Sequence, residues 1–251
     1  MRSLSTTRLG GISQGAYAGF NLGLHVGDDP QAVAANRAQL CALIGSSPRW
    51  LEQVHGTTVV DAALLSPDVP PPQADAAFSR QPGVPCVVMT ADCLPVLFCD
   101  DDASVVAAAH AGWRGLAGGV VERTLTSFRA VASAECAPDA IKTEAIECIA
   151  WLGPCIGPQA FEVGPEVRAA FVAADAGAAA CFVAQPGGKY LADLPALARR
   201  RLAAAGLTRV YGNDGSADWC TVQRPALYYS YRRDQQRRGG SGRLAACIWR
   251  T

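Results

Sequence analysis

The stretch Val84-Pro85-Cys86-Val87-Val88-Met89-Thr90-Ala91-Asp92-Cys93-Leu94-Pro95-Val96-Leu97-Phe98-Cys99, with Ser104-Val105-Val106-Ala107-Ala108-Ala109-His110-Ala111-Gly112-Trp113-Arg114-Gly115 behind it, decides how this chain is read. Three short apolar runs, 84–89, 95–99 and 104–109, are bounded by Gly, Pro or Asp. Runs of that length without polar alternation predict strands buried on both faces. A polar residue follows each of them directly, Thr90, Asp100 and His110, and segments at strand ends are where a rigid sheet commonly presents chemistry.

Working outward, Asp28-Asp29-Pro30 followed by Val33, Leu40, Leu43 and Gly45 predicts a helix with acids and proline at its start and glycine at its stop. Trp50 to Val54 and Thr57 to Leu65 read as strands around a His55-Gly56 turn. A proline-rich loop, Ser66 to Gln73, follows and is too short to link domains. Gly115 to Ala132 reads as one helix with Leu116, Val120, Val121, Leu125 and Phe128 on its apolar face. Ile146 to Leu152 is a further strand, Val163 to Ala174 and Leu194 to Ala205 are helices, and Arg243 to Trp249 closes the chain as a strand. Strands and helices mix without regular alternation, which points to α+β layers rather than a doubly wound sheet. No internal repeat and no Gly-x-Gly-x-x-Gly after a strand is present. A single domain over residues 1–251 is expected.

Composition narrows the function classes. Half of the 251 residues are hydrophobic, and Lys plus Arg equals Asp plus Glu at 22 each. That balance exerts no general pull toward nucleic acid or an anionic membrane, and low colloidal repulsion suits a monomer or a homodimer. Residues 1–20 lack the basic start and apolar core of a secretion signal, and no run approaches the roughly 18 apolar residues of a membrane span, so a cytoplasmic protein is expected. Of ten cysteines, Cys41, Cys86, Cys99, Cys148 and Cys247 sit inside apolar runs, as reduced core thiols do.

The three histidines, His25, His55 and His110, each lie beside glycine at a turn-like junction rather than in an apolar stripe. Cys93 follows a predicted strand, between Asp92 and Leu94-Pro95. Separations of 38 residues from His55 to Cys93 and 17 from Cys93 to His110 match no local zinc-ligand spacing. On the residues alone, a shared metal site and four unrelated structural residues both stand.

A series of motifs carries a resemblance. They are Phe20-Asn21-Leu22-Gly23-Leu24-His25-Val26-Gly27-Asp28, Gln53-Val54-His55-Gly56, Asp75-Ala76, Thr90-Ala91-Asp92-Cys93-Leu94-Pro95 and His110-Ala111-Gly112-Trp113-Arg114-Gly115. Later come Leu152-Gly153-Pro154-Cys155-Ile156-Gly157, Phe161-Glu162-Val163-Gly164 and Tyr229-Ser230-Tyr231-Arg232-Arg233-Asp234. In this order, from about residue 8 to the end, the chain resembles the laccase-domain family, once filed as multicopper polyphenol oxidases. Its members are described as purine nucleoside phosphorylases with adenosine deaminase activity, or as peptidoglycan editing factors.

The resemblance implies a four-layer α-β-β-α sandwich with mixed sheets and one zinc ion held by His55, Cys93 and His110. Two imidazoles and a thiolate leave a fourth tetrahedral position open, the pattern of catalytic zinc, and such an ion lowers the pKa of bound water to about 7. It implies purine nucleosides and phosphate as substrates. For phosphate, Arg114 in the Gly112-Trp113-Arg114-Gly115 turn suits an anion cradle at a helix start, with Arg232 and Arg233 as a second candidate or a solvated basic loop running on to Arg237 and Arg238. His25 is a candidate to bind substrate or protonate the departing purine. Asn21 either bonds a ribose hydroxyl or holds its turn. Asp75 and Asp92 are acid/base candidates for deamination, or else cap a turn or orient a ligand. The segment Gln235 to Gly242 departs from the family pattern, being longer and carrying three glycines, which bears on substrate preference.

Three other classes compete. A copper oxidase of the multicopper kind needs many more histidines than three. A hydrolase of cell-wall precursors would use Cys93 as nucleophile beside His110. A passive binding module gains nothing from an open metal position beside arginines.

Overall fold

The computed structural model describes residues 1–67, 69–133 and 148–251. Its strands are β1 (Arg2–Ser5), β2 (Val59–Asp61), β3 (Ala76–Ser79), β4 (Cys86–Thr90), β5 (Leu94–Asp100), β6 (Val106–Ala111), β7 (Cys148–Leu152), β8 (Glu162–Val163), β9 (Phe182–Ala184), β10 (Tyr190–Ala192), β11 (Val210–Gly212) and β12 (Leu244–Trp249). The helices are α1 (Pro30–Ile44), α2 (Trp113–Gly118), α3 (Val120–Ser133), α4 (Pro165–Ala174), α5 (Leu194–Ala204) and α6 (Tyr231–Arg238).

The three apolar runs become β4, β5 and β6, and every residue in them is buried. They do not share one sheet. β5 and β6 lie at the centre of a six-stranded mixed sheet, ordered β11-β7-β5-β6-β3-β2, while β4 joins a second sheet, β1-β12-β4. The turn between β5 and β6 is closed by Asp100, whose carboxylate accepts from the backbone N–H of Ser104 at 2.7 Å and of Val105 at 3.1 Å.

Alternation along these strands builds the layers. Val96, Phe98, Ala107 and Ala109 face a core shared with Leu116, Val121, Leu125, Phe171 and Leu197 of the covering helices. Their neighbours Leu97, Cys99, Val106 and Ala108 face Cys86, Val88, Ala246 and Ile248 of the other sheet. The far side of that sheet, through Val87, Ala245, Cys247 and Trp249, packs on Leu40 and Ile44 of α1. Strands covered on both faces need apolar residues at every position, as the runs have. The result is a four-layer α-β-β-α sandwich with a mixed sheet. A separate small antiparallel ribbon, β8-β10-β9, adds Val163, Phe182 and Ala192 to the core under the helices.

Helix α1 matches its sequence signals: the Asp29 side chain accepts from Gln31 N–H at 2.9 Å, Pro30 opens the helix, and Gly45 ends it at φ 76. Other boundaries are corrected. The single helix expected over Gly115–Ala132 is two, α2 and α3, because Gly119 at φ 97 breaks it. The strand expected over Trp50–Val54 reduces to isolated bridges at Arg49 and Glu52, and only Val59–Asp61 of the Thr57–Leu65 run pairs as a strand. A carboxylate rather than a ladder takes the N–H groups of Val54, His55 and Gly56. The helix expected from Val163 starts at Pro165 after Gly164, and Val163 itself belongs to β8. Ile146 and Glu147 of the predicted strand and Asp68 of the proline-rich loop lie outside the described residues. The basic face of α5 is spent on neighbours: Arg199 donates to the carbonyls of Val210 and Asn213, Arg200 pairs with Asp175 and Arg201 with Glu122. The nine described cysteines are free thiols.

Candidate metal centre

Sheet register brings the distant ligands together. β5 and β6 run antiparallel with Leu94 opposite Ala111 and Pro95 opposite His110, so Cys93, just before β5, comes level with the end of β6. β3 flanks β6 with Ala76 opposite Ala109, which sets Asp75 beside His110. Asp75 in turn holds the loop carrying His55. One ligand atom from each of His55, Cys93 and His110 falls within 4.8 Å of the others, a group able to hold a metal ion. His110 is buried inside β6 rather than at a turn, Cys93 is partly buried, and His55 is exposed.

Asp75 organises the group. Its fully buried carboxylate accepts from the N–H of Val54 at 3.2 Å, His55 at 2.9 Å and Gly56 at 2.6 Å. It also accepts from His110 Nδ1 at 2.8 Å. A carboxylate only accepts, so Nδ1 carries the hydrogen and Nε2 is left for an ion, the second-sphere arrangement common to metal-binding histidines. The three N–H bonds pin His55 at φ 60, a left-handed conformation that side chains other than glycine seldom adopt and that costs roughly 1–3 kcal/mol. Glycine is required at 112: a Cβ there would stand 2.8 Å from His55 Cδ2 and 2.9 Å from Cys93 Sγ.

The same proximity sets the charges. Burial opposes ionisation of Cys93, yet His110 and then His55 pull its thiol down to about 6. Burial likewise opposes the charge on His110, but Cys93 and Asp75 raise it to about 9. Burial would raise Asp75, and its bonds to His110 and the loop N–H groups hold it below the usual carboxylate value. Without a metal, the pair is a thiolate beside an imidazolium. Two imidazoles and a thiolate, one backed by a carboxylate, fit a divalent ion of the zinc kind and leave room for a further ligand.

The other candidates from the sequence divide. Arg114, exposed in the first turn of α2, lies over the Trp113 ring at 4.5 Å and takes no hydrogen bond or ion pair among the described residues. Since α2 has only six residues, the guanidinium rather than a helix dipole is the anion-attracting feature. Arg232 is exposed too, its Nη2 donating to Glu162 O at 3.0 Å. Arg233 is not an anion site: its guanidinium is consumed by Asp234 and the carbonyls of Thr221, Val222 and Tyr228. The basic loop read there is helix α6 through Arg238.

Asn21 is fully buried and holds its turn. Its Oδ1 accepts from Gly23 N–H and Arg243 N–H, and its Nδ2 donates to Asp28 and Gly23 O, which leaves nothing for a ribose. Asp92, at φ 92, accepts from the Thr221 hydroxyl at 2.5 Å and Arg232 N–H at 2.7 Å, joining β5 to α6. His25 is exposed in a single helical turn, and partial burial, with Arg243 and Arg37 nearby, lowers its pKa. The ring is therefore neutral at pH 7, which weakens it as a proton donor.

Two arginines escaped the sequence reading. Arg243 acts electrostatically on both His25 and Cys93; it precedes an apolar strand, and no spacing marks it out. Arg37 could have been found, since it sits four residues after Val33 and three before Leu40, on the apolar face of α1.

Fold and site together define a mixed α/β protein with, among the described residues, a His-Cys-His group at the ends of the central strands β5 and β6. The family pattern described as Multi-copper polyphenol oxidoreductase laccase matches residues 2–251, and the chain belongs to that family. It is 48% identical to a purine nucleoside phosphorylase of Pseudomonas aeruginosa over 99% of this chain and 93% of that one. It is 49% identical to the purine nucleoside phosphorylase YfiH of Escherichia coli over 98% of this chain and 92% of that one. Among solved structures, the Neisseria meningitidis protein NMB0706 superposes with a TM-score of 0.85 at 46% identity, covering 98% of this chain and 93% of its own. YlmD from Geobacillus stearothermophilus superposes at 0.83 with 30% identity, covering 99% and 92%.

Proposed function

We propose that residues 1–251 form one catalytic domain, a zinc-dependent purine nucleoside phosphorylase that also deaminates adenosine and works in the cytoplasm. The observation that carries it is the His55-Cys93-His110 group, oriented by Asp75. Relatives named purine nucleoside phosphorylase supply the substrate class. No helix of the described residues is long and apolar enough to cross a membrane. Zinc fits the donor set, with copper as the lesser alternative. When bound it supplies Lewis acidity and acidifies water at an open position.

In phosphorolysis a phosphate oxygen forms a bond to C1′ of the ribose as the C1′–N9 bond breaks. The bonding pair leaves with the purine, which then takes up a proton, giving free base and ribose 1-phosphate. Arg114 holds the phosphate, and Arg232 is the second anion contact. His25, neutral, binds the nucleoside rather than protonating it. Asp75 and Asp92 are positioning residues, since their carboxylates are already occupied by donors. Deamination exchanges the C6 amino group of adenosine for oxygen from water and releases ammonia.

The test is incubation of zinc-quantified protein with adenosine, with and without phosphate. Adenine and ribose 1-phosphate formed only with phosphate, inosine formed without it, and loss of both in His55→Ala are expected. Adenosine left intact by zinc-loaded protein overturns the reading.

One observation favours a second reading. Cys93 Sγ lies 3.7 Å from His55 Nε2, a thiol–imidazole pairing that suits a nucleophile for cell-wall precursor hydrolysis when no metal is bound. A covalent Cys93 adduct in active, metal-free protein would establish it.

A further inference from the structure

Two thiols outside the metal centre oppose each other across a strand-like contact. Cys155 and Cys220 form an isolated parallel bridge, in which Cys155 N–H donates to Trp219 O at 3.2 Å and Thr221 N–H to Cys155 O at 3.0 Å. Bridge partners send their side chains to the same face. Paired strands stand roughly 4.8 Å apart, inside the roughly 4.4–6.8 Å of Cα separation that a disulfide spans. Other neighbouring thiols lack this arrangement. Cys99 lies opposite Ile149, one place from Cys148, and the two thiols enter different cores. Cys247 lies opposite Val87, one place from Cys86, and these too enter different cores.

Neither sulfur rests in hydrocarbon alone. Gly157 N–H donates to Cys220 Sγ at 3.2 Å, and Asn213 Nδ2 to Cys155 Sγ at 3.3 Å. Gly157 leaves the space, since a Cβ there would stand 3.1 Å from Cys220 Sγ. Both cysteines are buried, but Cys220 lies just after a largely exposed loop, residues 214–218, whose local opening gives a small oxidant a way to its thiol. The two segments also grip one residue. Ile156 N–H donates to Asp92 O at 2.8 Å and the Thr221 hydroxyl to the Asp92 carboxylate at 2.5 Å, each one residue on from a cysteine. Asp92 is held at φ 92 and is followed by Cys93. The contact between residues 155 and 220 therefore braces the loop that carries a metal ligand.

We propose that Cys155 and Cys220 are a reversible, peroxide-responsive dithiol whose disulfide locks the two segments holding Asp92 and so keeps Cys93 at the metal during oxidative exposure. Burial, with Cys220 and Asp92 nearby, pushes the Cys155 thiol well above its ordinary value, so Cys220 is oxidised first. Its sulfur attacks one oxygen of hydrogen peroxide: an S–O bond forms, the O–O bond breaks, and the departing hydroxide takes the thiol proton as water. The Cys155 sulfur then attacks the sulfenic sulfur. The S–S bond forms, the S–O bond breaks, and hydroxide leaves with the Cys155 proton as a second water. Two thiols lose two electrons and two protons, and one peroxide is reduced to two waters. A low-molecular-weight thiol restores the pair by thiol–disulfide exchange. Metal loss requires the ligand loop to open, and a cross-link between the segments gripping Asp92 removes open states. The inference does not rest on the nucleoside reading.

The test treats zinc-loaded protein with hydrogen peroxide, blocks the remaining thiols by alkylation and maps the peptides by mass spectrometry. Zinc release to a chelator is timed before and after treatment, in wild type, Cys155→Ser and Cys220→Ser, with circular dichroism as the control for folding. Wild type should give a cross-linked pair joining residues 155 and 220, lighter by two hydrogens than the reduced peptides together and separated again by dithiothreitol. Zinc release should slow roughly threefold or more in the linked protein. Both serine variants should show neither the link nor the slowing. Residues 155 and 220 still open to alkylation after peroxide, or a link formed elsewhere instead, overturns the inference. So does zinc ejected with Cys93 oxidised ahead of any 155–220 link. A linked protein that releases zinc at the original rate, or equal slowing in a folded Cys220→Ser, overturns the locking. If a serine variant fails to fold, the wild-type map and its reversal by dithiothreitol decide. Protein that takes up no metal overturns the locking and leaves the mapped link to decide the pair.

Discussion

Asp75 and His110 are joined twice. The backbone N–H of His110 donates to the Asp75 carbonyl at 2.7 Å, and the imidazole Nδ1 donates to the carboxylate of the same residue at 2.8 Å. One bond fixes the strand pairing and the other the tautomer, so sheet register and ligand orientation share a residue. Asp75→Asn keeps the shape but places an N–H₂ among donors. Metal affinity should fall about 10–100-fold, measured by chelator competition, and the absorption bands of the cobalt-substituted protein should shift. Unchanged affinity and spectrum would remove Asp75 from the centre.

Gly112 leaves the space that Cys93 and His55 occupy. Gly112→Ala would press a methyl against Cys93 Sγ and His55 Cδ2 while leaving the layered core untouched. The expected outcome is a folded protein, by circular dichroism, with zinc well below one equivalent. Full zinc content would show that the ligands move aside.

Cys93 and His110 make opposing contributions to stability in the metal-free protein. The thiol is depressed from its ordinary value near 9 to about 6, so its contribution is complete above 9 and is lost as pH falls through 6. The imidazole is raised from about 6.5 to about 9, so its contribution is complete below 6.5 and is lost as pH rises through 9. Between 6.5 and 9 the slopes cancel, because folding moves a proton from one group to the other. Metal-free protein should melt at nearly the same temperature at pH 6.5, 7.5 and 8.5, while Cys93 alkylation rises with a midpoint near 6. A midpoint near 9 would refute the pair.

Asn21→Ala leaves the buried N–H groups of Gly23 and Arg243 without acceptors. A loss of about 1–3 kcal/mol per unpaired group is expected in chemical denaturation, with KM for nucleoside unchanged where the protein remains folded. A raised KM at unaltered stability would return Asn21 to the substrate.

Arg114→Ala should raise KM for phosphate at least tenfold, leaving zinc content and base binding as they were. An unchanged phosphate dependence would shift the anion site to Arg232.

Local signals carried much of the fold. Asp29, Pro30 and Gly45 delimit α1 because caps act within one turn, and the unbroken apolar runs mark β4, β5 and β6 as strands buried on both faces. Where reading failed, a tertiary partner had intervened. The 50–54 segment has strand-like residues, but Asp75 takes the N–H groups next to it. Gly119 was legible as a glycine, yet its φ of 97, which splits the helix, was not. In the candidate site, the motif resemblance supplied the ligand set, whereas the occupied carboxylates of Asp75 and Asp92 and the buried amide of Asn21 became visible only with their partners in place.

By itself the sequence determined the strands β4, β5 and β6 and the helix α1, that those strands must be covered on both faces, and which residues are chemically able to bind a metal or an anion. Periodicity, caps and residue chemistry act over a few positions and need no partner. Tertiary structure alone decided that residues 55, 93 and 110 meet, that the Asp75 carboxylate bonds both His110 and the loop carrying His55, and that Arg37 lines a cavity. Those facts depend on strand register and on competition for hydrogen bonds between segments far apart in the chain, and neither is encoded locally.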